Sequence, residues 1–204
     1  MDVDAEGQAA RTERLRLRGP IEIGPFRIGH KFLRAVWYVV QGTIYQLPVR
    51  RFDGWRVMLL RLFGARIGRS CMIRRTARIE VPWHLRVGDR VVIGDRVIVY
   101  SLGRIVVGSD TVVSQGTHLC AGDHDIEQTD RPLRRVPISI GRQCWIAADA
   151  FVGPGVDVGD GVVLGARAAA FRDLPDWTVC VGTPAKPRRS RDRPRSPSDL
   201  DSCE

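Results

Sequence analysis

Along most of this chain an aliphatic residue followed by a small one returns at every sixth position. The series runs Ile67-Gly68, Ile73, Ile79, Leu85, then Val87-Gly88, Ile93-Gly94, Val99, Ile105, then Val107-Gly108, Val113-Ser114, Leu119-Cys120. It resumes as Ile140-Gly141, Ile146-Ala147, Val152-Gly153, Val158-Gly159, Leu164-Gly165 and Ala170 without a slip. The first part restarts at 67, 87 and 107, as if each coil carried a two-residue corner insertion. Six residues make one short strand and a turn, and three such sides close a triangular coil of about 18 residues whose copies stack roughly 4.8 Å apart. The sixth-residue aliphatics point into the prism. The small residue beside each is expected to let the chain turn a tight corner, where glycine costs least. One coil cannot bury its own apolar face, so the pattern predicts about five to six coils between Ile67 and Val179. A β-sandwich with plain alternation accounts neither for the register nor for the Gly-Asp corners at 88–89, 94–95 and 159–160. The period leaves the hand of the coil open; right-handed crossovers are the general rule for parallel strands.

The flanks read differently. Residues 1–18 are polar and predicted to be a disordered tail. Residues 19–66 form a partly helical cap, with one helix over the apolar run 31–47. A second runs from Asp53, as N-cap, to Phe63, stopped by Gly64. Trp55, Leu59, Leu62 and Phe63 would share one face and close the open end of the prism. A peripheral membrane contact through residues 31–63 is the alternative for the same basic, amphipathic region. The coil domain spans 67–182. Residues 183–204 form a basic C-terminal segment, with 187–204 a disordered tail. The stretch 120–139 breaks the hexad with charged residues, Pro132 and Pro137, as a loop extruded from a rigid scaffold, where binding groups concentrate.

Composition narrows the classes. The 204 residues suit one domain with tails, and 44% apolar with 27% charged residues is globular usage. Cys71, Cys120, Cys144, Cys180 and Cys203 form no close pair, which argues against a disulfide framework or a cysteine zinc site. No apolar run reaches the length of a spanning helix; the best, Ala35 to Leu47, is short and interrupted by Gln41 and Gly42. The acidic, polar N-terminus is unlike a secretory signal, so the expectation is a cytoplasmic protein.

In the extruded loop, His124 stands in Gly122-Asp123-His124-Asp125. An imidazole is the usual base for taking a proton from an alcohol, and Asp123 or Asp125 could orient it. By position alone a solvated surface histidine fits equally well. The segments Phe52-Asp53-Gly54-Trp55, Leu62-Phe63-Gly64-Ala65, Ser114-Gln115-Gly116, Leu119 to Asp125, Cys144-Trp145-Ile146-Ala147-Ala148 and Gly182-Thr183-Pro184-Ala185-Lys186 add to this. Together they resemble, over roughly residues 50–189 and in the right order, the colanic-acid-type O-acetyltransferases. These belong to the galactoside, maltose and serine acetyltransferase superfamily.

That resemblance implies a left-handed parallel β-helix, a homotrimer with sites in the grooves between prisms, and acetyl-CoA as donor with no metal. His124 would be the general base toward a sugar hydroxyl, and Ala148 would supply a backbone N–H to the oxyanion. Trp145 and Ala166 would lie along the pantetheine arm, and Arg172, Lys186 and Arg189 would meet the nucleotide phosphates. Tyr100, Ser101 and Asp123 would face the acceptor, Tyr100 by stacking on a sugar ring or by filling a subunit interface. Here Phe171 replaces the family's usual threonine, Thr183 its asparagine and Asp123 its serine. Trp83, after Pro82, is expected to be packing.

Rival readings keep parts of this pattern. An N-acetyltransferase would change only the acceptor. A γ-type carbonic anhydrase would need three imidazoles on one zinc, and His84, His118 and His124 invite the comparison. One hexad separates 118 from 124, so the two fall on different sides of the prism. A non-catalytic scaffold or nucleic-acid binder would use the basic tail, which lacks interleaved aromatics. The net charge of +9 is local: residues 50–78 hold nine Arg against Asp53, and residues 186–195 hold six basic groups against Asp192. Nucleotide phosphates or an anionic membrane fit those two addresses better than nucleic acid does.

Overall fold

The computed structural model describes residues 19–24, 26, 28–47 and 53–193, with Ala9 and Thr12 besides. The remaining positions of the expected tails, 1–18 and 194–204, lie outside the described residues.

Each hexad forms a strand of two to four residues, and the chain lays successive strands on three parallel sheets in rotation. Face 1 holds 66–67, 85–87, 105–107, 138–140 and 157–158; face 2 holds 72–73, 92–93, 112–113, 145–146, 163–164 and 178–181; face 3 holds 78–79, 98–100, 118–120, 151–152 and 169–170. The registers stack like on like: Ile73 beside Ile93 beside Val113 beside Ile146 beside Leu164. These aliphatics are all fully buried and form one continuous core along about six coils. The predicted hexapeptide β-helix is the observed architecture.

The hexad has a second buried position that the sequence pattern conceals. Two residues before each inward aliphatic lie Ala77, Val91, Val97, Thr111, Thr117, Cys144, Ala150, Val156, Val162 and Ala168, all essentially buried. Thr111 and Thr117 fit because their hydroxyls donate to Gly141 O at 2.8 Å and Ala147 O at 3.0 Å in the next coil.

The corner glycines serve a different end from the one expected. The residue in left-handed conformation comes three positions after the aliphatic, and it is mostly not glycine: Ser70, Arg90, Arg96, Asp110, Gln143, Asp149 and Arg167 have φ between 54° and 62°. The glycine directly after the aliphatic is needed for space. A Cβ on Gly108 would lie 2.6 Å from the Gly141 carbonyl carbon, and one on Gly88 would lie 2.6 Å from the Ser109 nitrogen. Along the edge between faces 1 and 2 an Asp or Ser then caps the coil beneath it. Asp89 accepts from Arg69 N at 2.6 Å, Ser109 from Asp89 N at 3.0 Å, Asp160 from Arg142 N at 2.8 Å and Asp176 from Asp160 N at 2.7 Å.

The first coil leaves three sheet edges unpaired, and the N-terminal cap covers each with a polar side chain. Helix α1 (Ile28–Gly42) sets Trp37 Nε1 on Ile79 O at 2.7 Å and Gln41 Oε1 on Ile79 N at 2.7 Å. Helix α2 (Asp53–Leu62) sets Arg56 Nε on Ile73 O at 2.8 Å and Arg61 Nη2 on Ile67 O at 2.7 Å. Two arginines of the basic stretch are therefore structural caps of otherwise orphaned carbonyls. The end-cap reading of α2 holds for Leu59, Trp55 and Phe63 but not for Leu62, which is 76% exposed. The buried stripe is instead Arg56, Val57, Leu59 and Leu60. The side chain of Asp53 lies outside what is described.

Two further segments depart from expectation. Stretch 120–139 is not an irregular loop. Its strands Asp123–His124 and Leu133–Arg135 pair antiparallel as a hairpin arm, and Glu22–Ile23 adds a third strand on the far side. The two-residue insertions fall on the same edge, between faces 3 and 1, where Phe26, Val81 and Leu102 form a second small core packed by Trp83, Tyr100 and Leu133. Lys186–Ser190, expected in the tail, is a strand antiparallel to Thr178–Val181 and extends face 2.

Candidate active site

The arm leaves the prism at the edge between faces 3 and 1 and carries His124 on its outer strand. The His124 side chain is exposed, and its Nδ1 lies 2.8 Å from Arg131 O across the hairpin. A carbonyl oxygen only accepts, so this bond places the proton on Nδ1 and leaves Nε2 as a free acceptor in the neutral ring. Neither flanking carboxylate orients the ring, contrary to expectation. Asp123 accepts from the His124 backbone N at 2.7 Å, and Asp125 takes the Glu127 N at 3.2 Å and the Gln128 amide at 2.9 Å, fixing the hairpin turn. The orienting group is the backbone carbonyl of Arg131, a residue with φ 43° that no spacing argument singles out.

At the root of the arm, a Cβ on Gly122 would lie 3.0 Å from the Tyr100 ring. Tyr100 is half-buried, and burial, followed by the nearby Glu80, pushes its phenol above its usual range, so it stays neutral. It begins an aromatic row on the outside of face 3, with ring centroids 6.2 Å from His118, then His118 to Phe151 at 5.5 Å and Phe151 to Phe171 at 5.6 Å. Ser101 does not join this surface. It is fully buried, accepting Val81 N at 2.9 Å and donating to Val81 O at 3.0 Å, so its hydroxyl holds the corner. Burial raises the Cys120 thiol, which keeps it protonated and a poor nucleophile.

The donor-side candidates lie elsewhere. Ala148 sits on the edge between faces 2 and 3, half-exposed, with Ala166 one coil above it. The turn is of the same kind as on the capped edge, with Asp149 and Gln143 both at φ 57°. The Ala166 side chain has no oxygen to offer, and among the described residues the Ala148 N–H has no acceptor. Trp145 projects from face 2, half-exposed, with its indole N–H on Ser114 Oγ at 3.0 Å. Lys186 and Arg189 are exposed on the strand that extends the same face. Arg172, expected with them, is exposed at the edge between faces 3 and 1, on the side of the arm. Within one chain the structure thus gathers His124, Asp123, Tyr100 and Arg172 at one edge and Ala148, Ala166, Trp145, Lys186 and Arg189 at or beside another.

The three histidines of the zinc alternative are engaged separately. His84 Nδ1 meets Leu102 O at 2.8 Å, His118 packs between rings, and His124 holds Arg131 O. Among the described residues no cluster of three His, Cys, Asp or Glu is arranged for a metal.

No family model matches the chain. It is 44% identical over 166 residues to the putative colanic acid biosynthesis acetyltransferase WcaF of Escherichia coli K12, covering 81% of this chain and 91% of that one. The chain belongs to the colanic-acid-type acetyltransferases. As a member it is an acyltransferase, and the resemblance drawn from the sequence stands. This acetyltransferase shares its fold with a hexapeptide-repeat-containing acetyltransferase of Vibrio cholerae, with TM-score 0.76, 21% identity and coverage of 83% of this chain and 97% of that one. A galactoside acetyltransferase solved in complex with coenzyme A superposes with TM-score 0.68 at 18% identity, over 89% of this chain and 90% of that one. What the sequence missed in the colanic-acid-type site is the N-terminal brace. Glu22 bridges Arg135 at 2.8 Å, Gly24 N donates to Leu133 O at 2.9 Å, and Phe26 packs its ring under the guanidinium of Arg135 at 4.7 Å.

Proposed function

We propose that this acetyltransferase moves an acetyl group from acetyl-CoA to a hydroxyl of a sugar or polysaccharide precursor, in a site completed between chains of a homotrimer. The observation that carries the proposal is the division of the candidate residues between two edges of one prism. His124 and Ala148 are separated by face 3, so a base and an oxyanion donor meet only when the arm of one chain reaches the Ala148 edge of its neighbour. The residues present fit the donor: an amide with no acceptor among the described residues on a half-exposed corner, small side chains at 148 and 166 along which a flexible arm can lie, and exposed cations at Lys186 and Arg189 that are in no ion pair among the described residues, for phosphate groups.

In this reading His124 Nε2 takes the proton of the acceptor hydroxyl as its oxygen attacks the thioester carbonyl. The Arg131 carbonyl holds the ring and stabilises the imidazolium that forms. The Ala148 N–H donates to the thioester oxygen as negative charge develops there. His124 then returns its proton to the departing thiolate. Tyr100, beside the root of the arm, offers a ring face to the acceptor sugar, and Asp123 lines the same side. Lys186, Arg189 and Arg172 hold the phosphates from the two chains.

The test is thiol release from acetyl-CoA across a panel of sugars and lipid-linked glycans, with the mass in solution measured alongside. His124→Ala is expected to lower kcat roughly 10²- to 10⁴-fold at unchanged trimer mass. Mixing unfolded His124→Ala chains with chains altered on the Ala148 edge and refolding them together should restore turnover, because some grooves then receive both intact halves. A fully active monomer, or near-normal turnover in His124→Ala, overturns the proposal.

A further inference from the structure

Helix α1 is more exposed than a cap should be. Trp37 and Gln41 fasten it to the first coil, and the side of the helix opposite them carries Ile28, Phe32, Ala35 and Val39, all exposed. The apolar surface continues past the helix. Ile28 is 84% exposed, Phe32 72%, Val39 66%, Leu47 59%, Met58 49% and Leu62 76%. Both helices spend their inner sides on the edges of the first coil, so these side chains form an end plate on the capped end of the prism. A plate of this kind is well beyond the scattered apolar residues that any surface shows.

The charge around the plate identifies what covers it. Lys31 stands on α1, and the first coil sets Arg66, Arg69, Arg74, Arg75 and Arg78 around the prism just behind the plate, all exposed and none in an ion pair among the described residues. Between residues 28 and 78 the sequence holds eleven Lys and Arg against one acid, Asp53. A second copy set end to end would bring two such girdles together and repel. An apolar plate ringed by cations matches a bilayer with anionic headgroups: the side chains enter the acyl boundary and the arginines stay level with the phosphates. No helix of the described residues is long and apolar enough to cross a membrane, which leaves a surface attachment.

We propose that the capped end of the prism, through the outer face of α1 and the tips of Leu47, Met58 and Leu62, docks on an anionic lipid surface. The proposal stands apart from the acetyl-transfer reading, since it uses none of the residues of that site.

Flotation of the full chain with vesicles tests it. With phosphatidylglycerol and phosphatidylcholine vesicles the protein should float at low salt, and raising the salt or using phosphatidylcholine alone should release it. The double variant Phe32→Glu/Val39→Glu should weaken binding on the order of a hundred-fold, from two apolar side chains no longer buried in lipid. Arg74→Glu/Arg75→Glu should weaken it on the order of ten-fold or more through headgroup charge. Thermal unfolding and turnover of a water-soluble acceptor should be unchanged in both variants. Absence of flotation with anionic vesicles overturns the proposal, as does equal binding to neutral ones. Undiminished binding of the Phe32→Glu/Val39→Glu variant, or a change in its oligomeric mass, also overturns it, the latter by marking the plate as a contact between chains.

Discussion

Among the described residues the Ala148 N–H has no acceptor, because its neighbour one coil above is an alanine, and that dependence can be reversed. At four positions equivalent in the hexad a side-chain oxygen of the next coil accepts the amide below it, at 2.6 Å for Asp89, 3.0 Å for Ser109, 2.8 Å for Asp160 and 2.7 Å for Asp176. The turn at Ala148 has the same left-handed residue, Asp149 at φ 57°, as the Asp160-capped turn has in Gln143. Ala166→Asp should therefore close a hydrogen bond to the Ala148 N–H at about 2.8 Å. Losing one oxyanion donor costs about 2.7–4 kcal/mol of transition-state stabilisation, a fall in kcat of about 10²–10³. The new bond adds about 0.5–1.5 kcal/mol to the fold. Activity and stability should thus move in opposite directions, which general damage to the coil would not produce.

Steady-state thiol release and calorimetric unfolding measure the two effects. Ala166→Val supplies bulk without an acceptor. It should raise the KM for acetyl-CoA by crowding the arm while leaving the saturated rate far above that of Ala166→Asp. If Ala166→Asp turns over within roughly three-fold of the parent, or the two variants lose kcat alike, the Ala148 amide is not the oxyanion donor.

Four other outcomes follow from the packing. Gly108→Ala places a methyl 2.6 Å from backbone of the next coil and should cost about 3 kcal/mol or more in unfolding free energy. Gly29→Ala, with nothing within 4 Å on α1, should be neutral or gain up to about 1 kcal/mol in the same calorimetry. Burial lowers the His118 pKa below the ordinary histidine value of 6.5, so the unfolded chain binds its proton first as pH falls; the stabilisation present above 6.5 is lost on acidification. His118→Phe should narrow the gap between urea midpoints at about pH 7.5 and about pH 5, while His84, shifted in the same direction by burial, keeps part of it. Phe26→Ala removes the ring beneath Arg135 and Arg34, and should raise amide exchange in 123–135 and lower kcat while exchange in the coil core is unchanged.

Whatever repeats along this chain can be read without a structure. The sixth-residue aliphatics fix the coil, because each must stack on a copy of itself, and the motif residues around His124 and Ala148 mark the acetyltransferase family. The reach of that pattern stops where one residue serves two ends. Glycine after the aliphatic looks like a turn former and proves to be a spacer, since only the neighbouring coil reveals the backbone 2.6 Å away. Arg56 and Arg61 look like part of a polyanion patch, yet they cap sheet edges that exist only once the first coil has formed. Ser101 looks like an acceptor contact and is spent on Val81, because the corner turns it inward. The brace by Glu22–Ile23 joins the arm to a segment about a hundred residues away, beyond any local periodicity, and the hold of Arg131 on His124 exists only once the hairpin strands have paired. Only the tertiary structure assigns His124 and Ala148 to different edges of the prism. Spacing along the chain gives each residue its phase in the hexad, but which edges a site can span is decided by where the coils close.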